Sequence, residues 1–263
     1  MSNEIPNRDL LDFAVSVAWQ AGKVTLDYFH TKLTTETKSD ESPVTIADRR
    51  TEQTIRELIS GKFPDHSIVG EEYGEQAGDS QYRWIIDPID GTQSFIRGVP
   101  LYGVLIGLEH NNEPVVGVVN YPALGEMIFA ALGEGCFWNG SRAAVSTVSK
   151  LSDAVFSTTG PELFHQNNRD SVYKRLTEAT SKQRTWGDCY GYGLVATGRA
   201  DLMIDPIMHV WDCAPLLPIM VEAGGTFTDW TGKPTIRGGD SIATNGLIFD
   251  QVMELVRGND QKV

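Results

Sequence analysis

With 263 residues, 41% of them hydrophobic and 22% charged, the chain can bury one large core or two closely packed halves, and wholesale disorder is excluded. Lys and Arg number 22 against 35 Asp and Glu, and the net charge of −13 excludes the basic surface that nucleic acids and anionic membranes select. Three widely separated cysteines (Cys136, Cys189, Cys213) without a CxxC pair exclude a cysteine-ligated zinc site, and with neither a basic leader nor a membrane-length apolar run the expected location is cytoplasmic.

Leu10, Leu11, Ala14, Val17, Ala18, Ala21, Val24 and Tyr28 recur at helical spacing and predict an amphipathic helix over 7–30. A polar, Thr-rich loop follows over 31–42 and carries Lys38, a candidate lid residue. Thr45 with Asp48 three residues on resembles a capping box, opening a second helix through Ile55 and Ile59. Residues 82–86 read as a strand running into Asp87-Pro88, and strands over 102–109, 114–121 and 126–132 follow at turn-residue spacing. From 154 onward strand, helix, helix, strand, helix and strand succeed one another, the pattern of a layered α/β half, with Asn245 capping the last helix. The expected division is an N-terminal α+β part, 1–140, and a C-terminal α/β part, 141–263.

The densest chemical signal is Asp87-Pro88-Ile89-Asp90-Gly91-Thr92. Two carboxylates three residues apart at a strand end can converge on a hard cation, which takes oxygen ligands. Pro88 restrains the turn between them, and Gly91 lets backbone N–H groups approach a ligand closely. The competing account is a strand-to-helix turn with Asp90 as N-cap. Elsewhere Glu71 follows the apolar Ile68-Val69 and Asp212 follows Trp211 at the opening of a late helix. Asp48 and Asp212 each also admit a purely capping role. Together these residues place acids at element ends, where oxygen-ligand metal sites are built.

Gly70-Glu71-Glu72, Asp87-Pro88-Ile89-Asp90-Gly91-Thr92 and Trp211-Asp212 are similar to the signatures of the inositol-monophosphatase-like family, as are Gly133-Glu134-Gly135-Cys136-Phe137-Trp138-Asn139-Gly140 and Val221-Glu222-Ala223-Gly224-Gly225. They stand in the family's order and span most of the chain. The resemblance implies a layered α-β-α-β-α sandwich of the sugar-phosphatase type, commonly a homodimer. It also implies Mg2+, two or three per site, and hydrolysis of a small-molecule phosphate monoester. By position, Glu71, Asp87 and the carbonyl of Ile89 resemble the ligands of one metal, and Asp87, Asp90 and Asp212 those of a second. Asp48 and Thr92 correspond to the pair that orients the attacking water, and Gly91 and Thr92 would hold phosphate oxygens. Bound cations would also resolve a conflict in the charge: an acidic chain repels phosphate until metal inverts the local field. Ser94, where many relatives carry Asn, and Pro215, after Trp-Asp-x-Ala, depart from the pattern without removing a ligand.

The segment Arg184-Thr185-Trp186-Gly187-Asp188-Cys189-Tyr190-Gly191-Tyr192 resembles the histidinol-phosphate phosphatase branch of that family, in which Gly-Asp-Cys-Tyr is typical. Histidinol phosphate carries an amine and an imidazole, so carboxylates suit its cationic end. Asp188 and Asp205, with Arg184, are the candidate substrate-binding residues, although Asp188 also fits a cap for a helix starting near Tyr190. The alternatives are an inositol monophosphatase, a broad sugar phosphatase, a 3′-phosphoadenosine nucleotidase, or a non-catalytic relative that has lost a metal ligand.

Overall fold

The computed structural model describes residues 5–32, 34–37 and 43–258. In chain order its elements are α1 (Asn7–Tyr28), β1 (Glu36–Thr37), β2 (Pro43–Val44), α2 (Ile46–Lys62), β3 (Ser67–Gly70), β4 (Gly74–Gln76), β5 (Tyr82–Asp90) and α3 (Thr92–Ile96). Then come β6 (Gly103–His110), β7 (Glu113–Tyr121), β8 (Glu126–Ala131), β9 (Gly135–Trp138), β10 (Ser141–Arg142), β11 (Val155–Ser157), α4 (Pro161–Gln166), α5 (Asp170–Ala179) and β12 (Lys182–Arg184). The chain closes with α6 (Asp188–Ala196), β13 (Leu202–Asp205), α7 (Val210–Glu222), β14 (Thr226–Thr228), β15 (Ser241–Thr244) and α8 (Phe249–Arg257). No helix among the described residues is long and apolar enough to cross a membrane. Lys38 lies outside the described residues.

Beside the short β1–β2 pair, two main sheets organise these elements into an α-β-α-β-α sandwich. An eight-stranded sheet runs in the order β10-β9-β8-β7-β6-β5-β3-β4, and a five-stranded sheet in the order β12-β11-β13-β15-β14. Strand β10 pairs with β9 and closes the first sheet just past residue 140. The amphipathic stripe of α1 and the Ile55 and Ile59 face of α2 cover one side of the large sheet, burying Trp84, Ile86, Val104, Ile106, Val116 and Val118. On the opposite side Ile85, Leu105 and Val119 pack on α6 and α7, which also meet Met203, Phe227 and Ala243 of the small sheet. Helices α5 and α8 cover the outer face of the small sheet through Leu176, Val252 and Met253. A sheet covered on both faces needs apolar residues at consecutive positions, which is why β6 and β7 read as almost unbroken hydrophobic runs.

Helix α7 is the keystone between the two main sheets. Gly107 and Gly117 sit directly opposite each other on β6 and β7. A Cβ on Gly107 would lie 2.7 Å from Cβ of Ala214, and one on Gly117 only 2.0 Å from the Pro215 carbonyl oxygen. The helix backbone therefore rests on a patch without side chains. Its far end is tied down as well: Glu222 accepts hydrogen bonds from the amides of Gly133 and Gly135 at 2.9 and 2.6 Å. Two of the segments singled out in the sequence thus meet in one structural joint. Arg237 adds a second tie by donating to both oxygens of the buried Glu109 at 2.6 and 2.8 Å.

Most predicted elements form within a few residues of expectation, and the differences have local causes. Strand β5 continues past Ile86 to Asp90 because a bulge, rather than a strand end, accommodates Pro88. Helix α6 starts at Asp188, ahead of Tyr190, with Asp188 itself at φ 49°. Asn245 accepts from the amides of Leu247 and Ile248 at 3.1 and 3.3 Å, so it caps the turn that leads into α8.

Candidate active site

The bulge in β5 builds the centre of the site. Asp87 pairs with Leu105 and Asp90 with Gly103, so three steps on β5 span two on β6. One extra residue reverses the facing of the chain, and carboxylates three apart project to the same side of the sheet, the side covered by α6 and α7. The displaced Ile89 turns into a separate apolar cluster with Ala47, Phe95 and Tyr102. Its amide donates to Asp87 Oδ1 at 3.0 Å, and its carbonyl accepts from Thr92 Oγ1 at 3.0 Å.

Helix starts bring Asp48 and Asp212, and the turn between β3 and β4 carries Glu71. Asp48 occupies the third position of α2, where its Oδ2 accepts from the amide and hydroxyl of Thr45, each at 2.8 Å. Its other oxygen stands 3.5 Å from Thr92 Oγ1. The capping role and the site role are therefore carried by different oxygens of one buried carboxylate. Asp212 repeats the device on α7: Oδ2 accepts from the His209 amide at 2.7 Å, holding the carboxylate at the helix start. Asp90 is not the cap of α3, a place taken by Gly91 at φ 84°. It accepts instead from the Cys189 amide at 2.5 Å, at the start of α6.

Carboxylate oxygens of Asp87, Asp90 and Asp212 come within 4.8 Å of one another. Burial raises the pKa of Asp87 and Asp212 well above the carboxylate range, reinforced by Glu71, Asp90 and their other acidic neighbours. Burial pushes Asp90 up to about 6, with the Cys189 amide opposing the rise and the Glu71 and Asp205 charges adding to it. Burial likewise raises Asp48. Like charges gathered this closely repel one another, and a divalent cation converts that repulsion into attraction. All donors are oxygens, the set that hard cations take. The residues fit a metal centre.

Asp90, Asp188, Asp205 and Asp212 line one cavity of about 190 Å³, together with Thr159, Tyr192, Leu163, Ile207, Met208 and Leu216. Asp188 is held there by its strained start to α6, its amide donating to Thr159 Oγ1 at 2.9 Å, and its carboxylate faces Gly91. Asp205 departs from expectation. Its Oδ1 accepts from Thr158 Oγ1 and the Thr159 amide, and its Oδ2 from Thr159 Oγ1 and Tyr192 Oη, at 2.8 to 3.0 Å. With its lone pairs engaged and 1% of its surface exposed, it braces Thr159 and Tyr192 rather than offering a free carboxylate. Arg184 is not brought to this cavity. It lies exposed on the edge strand β12, with its guanidinium 5.6 Å from the Trp186 ring, and lines a different hollow beside Tyr173. His209 is exposed and stacks on Trp211 at 4.9 Å, while Tyr190 packs edge-on to Tyr121.

Sequence reasoning missed Thr159, Leu163, Ile207 and Met208. The one local signal for the first two was Gly160-Pro161, a helix opening with proline at its first position. Asp205→Asn should lower Tm by several degrees, because the two donors on the replaced oxygen lose their acceptor, while leaving Mn2+ affinity within about threefold. Thermal melts and Mn2+ titration check both halves of that expectation.

Comparison with known proteins agrees with this geometry. Residues 7–261 match the model of the inositol monophosphatase family. A protein of Chlorobaculum parvum named histidinol-phosphatase is 43% identical, covering 96% of this chain and 98% of its own. One of the same name from Streptomyces coelicolor is 39% identical, covering 93% and 96%. Among solved structures, the extragenic suppressor protein suhB of Bartonella henselae superposes with a TM-score of 0.89 at 30% identity, covering 95% of this chain and 98% of that one. On these matches along almost its whole length, the chain belongs to the inositol monophosphatase family.

Proposed function

We propose that this protein is a Mg2+-dependent phosphate monoesterase that converts L-histidinol phosphate and water to L-histidinol and phosphate. The observation that carries the reading is the character of the cavity. Beyond Asp90 and Asp212, which belong to the metal centre, and Asp205, whose lone pairs are engaged, the cavity offers the Asp188 carboxylate beside apolar Leu163, Ile207, Met208 and Leu216, and no Lys or Arg appears among its described lining residues. Such a wall repels an anion and suits an ester whose alcohol part is cationic and bears a flat ring. The names of the relatives at 43% and 39% identity support the same substrate.

In this reading Glu71, Asp87, Asp90, Asp212 and the carbonyl of Ile89 hold two or three Mg2+. When bound, the cations neutralise phosphate charge and lower the pKa of water. The chain's own residues do the rest. Asp48 and Thr92 orient the attacking water, and the Asp48 oxygen not occupied by Thr45 accepts its proton. Burial makes Asp48 a stronger base than an exposed aspartate. The amides of Gly91 and Thr92 hold phosphate oxygens. The water oxygen bonds to phosphorus in line with the departing alkoxide, whose P–O bond breaks and which takes a proton from solvent. Asp188 receives the substrate's ammonium or imidazolium group. A cytoplasmic homodimer completes the proposal, the dimer being checked by light scattering.

The test is phosphate release with Mg2+ from L-histidinol phosphate, myo-inositol 1-phosphate, fructose 1,6-bisphosphate and 3′-phosphoadenosine 5′-phosphate. We expect kcat/KM to favour histidinol phosphate by about a hundredfold or more, the worth of one or two charge-assisted hydrogen bonds. Comparable activity on inositol phosphate would keep the phosphatase chemistry and assign the chain to the alternative, an inositol monophosphatase or broad sugar phosphatase. Asp188→Asn preserves a side chain that tolerates positive φ while removing the charge. It should reduce kcat/KM for histidinol phosphate about 10- to 100-fold and leave the uncharged-alcohol phosphates nearly unaffected. Unchanged kcat/KM for histidinol phosphate would remove Asp188 from substrate recognition.

A further inference from the structure

One turn beyond Asp48 on α2 lies a second buried carboxylate, Glu52, with no exposed surface. Residues four apart share a helix face, so Asp48 and Glu52 point toward the same edge of the large sheet. Glu52 does not join the acid cluster. Its Oε2 accepts from the Glu72 amide at 2.8 Å, and its Oε1 from the Tyr73 amide at 3.1 Å and from Arg56 Nε at 2.8 Å. Arg56, nearly buried itself, reaches on with Nη2 to the Gly74 carbonyl at 2.5 Å. The pair thus grips both the amides and a carbonyl of the turn between β3 and β4. That turn carries Glu71, whose own amide is tied to the Ile86 carbonyl of β5 at 3.3 Å. Gly70 is required by the same contact, since a Cβ there would lie 2.2 Å from Glu52 Oε1.

A buried ion pair is weak evidence for stability as such, because desolvation offsets most of its attraction. Its placement here suggests another use. Glu71 is the one candidate ligand on a tight surface turn rather than on a sheet strand or a helix start. The backbone of such a turn has conformational freedom that metal binding must remove, and less of it is left to remove if the turn is clamped beforehand. Neutralisation by Arg56 also lets Glu52 hold the turn without adding a net charge to a crowded anionic site.

We propose that the Glu52–Arg56 pair is a positioning device that presets Glu71 for divalent-cation binding. The proposal rests on the assignment of Glu71 as a metal ligand but not on the identity of the substrate. Glu52→Gln replaces one acceptor oxygen by an N–H donor and so leaves part of the grip unmade, and Arg56→Lys keeps the charge but cannot make both contacts. Each should weaken Mn2+ binding to the purified protein, read by electron paramagnetic resonance or calorimetry, by about 10- to 100-fold, the usual effect of a residue that orients a ligand. At saturating Mg2+, kcat should return to within about threefold of wild type, since the ligands themselves remain. Ile59→Val, a buried change on the same helix, should lower Tm without moving Mn2+ affinity, which separates positioning from general destabilisation.

A double-mutant cycle decides the route. In a Glu71→Gln background, Glu52→Gln should have little further effect on Mn2+ affinity. Additive losses would overturn the proposal, as would unchanged Mn2+ affinity in Glu52→Gln. If Glu52→Gln fails to fold, Arg56→Lys with wild-type Mn2+ affinity would overturn it. Unchanged affinity in Glu71→Gln alone would overturn both the device and the ligand assignment beneath it, whereas loss in Glu71→Gln but not in the pair would leave that assignment standing.

Discussion

Asp90→Asn should lower turnover by about a thousandfold or more and, in the absence of metal, make the protein more stable. The activity loss follows from removing an anionic donor at the centre of the acid cluster, where metal-derived stabilisation of the transition state is worth several kcal/mol. The change keeps the side-chain shape, and an amide oxygen can still accept from Cys189, so the fold should survive. The stability gain follows from the sign of the shift. Burial raises Asp90 to about 6, above its unfolded value. A raised carboxyl contributes stability that is present below the unfolded pKa and lost as pH rises through the folded one. By pH 7.5 the ionised group therefore destabilises the metal-free fold. The difference between about 6 and the ordinary 3.8 corresponds to roughly 3 kcal/mol at 1.36 kcal/mol per unit, shared across the interacting acids.

Differential scanning calorimetry with and without chelator checks this directly. Metal-free Asp90→Asn should melt several degrees above metal-free wild type at pH 7.5, with the gap narrowing toward pH 5. Adding Mg2+ should stabilise wild type in proportion to its occupancy and the variant far less. Wild-type turnover in the variant would sink the assignment of Asp90 to the metal centre. A metal-free variant no more stable than wild type would sink the account of the site as stored charge repulsion.

Gly117→Ala should be among the most destabilising single changes that add only one carbon. The new Cβ would sit 2.0 Å from the Pro215 carbonyl oxygen and 2.8 Å from its carbon, backbone atoms that cannot rotate away. The opposing Gly107 leaves α7 no room to tilt toward β6 instead, because Ala214 already rests there. Overpacking of this kind reaches about 3 kcal/mol or more, a drop in Tm of roughly 6–12 °C for a chain of this size. Any relief by lifting α7 would move Asp212 away from Asp87 and Asp90, so Mn2+ affinity should fall together with Tm. Gly61→Ala is the matched control: nothing lies within 4 Å of a Cβ there, and Ala should raise stability by about 0.5–1 kcal/mol in the last turn of α2. Equal melting temperatures for Gly117→Ala and wild type would contradict the close approach of α7 to the sheet.

These expectations differ in how much the sequence could have announced them. Asp48 was legible in both its roles, since Thr45 and Asp48 stand at capping-box spacing and a carboxylate has an oxygen to spare. The layers were legible because α1 shows a helical apolar stripe while β6 and β7 show the unbroken apolar runs of a sheet covered twice. Asp87 and Asp90 were legible as a pair, but not the bulge that makes them convergent. A register shift is a relation between two strands, and nothing local to β5 specifies its partner's count. The same limit hid Asp205: seven residues before Asp212 it looked available, and only Thr158, Thr159 and Tyr192, brought in from two other elements, consume its lone pairs. Arg184 was set apart by the parallel pairing of β11 and β12, which turns it to the sheet edge. Glu52 carries no local signal of its role in the sequence. Its burial and its grip on the Glu71 turn exist only because α2 packs against α1 and β5, beside the β3 turn, a juxtaposition decided by the hydrophobic faces of distant segments rather than by any residue near Glu52 itself.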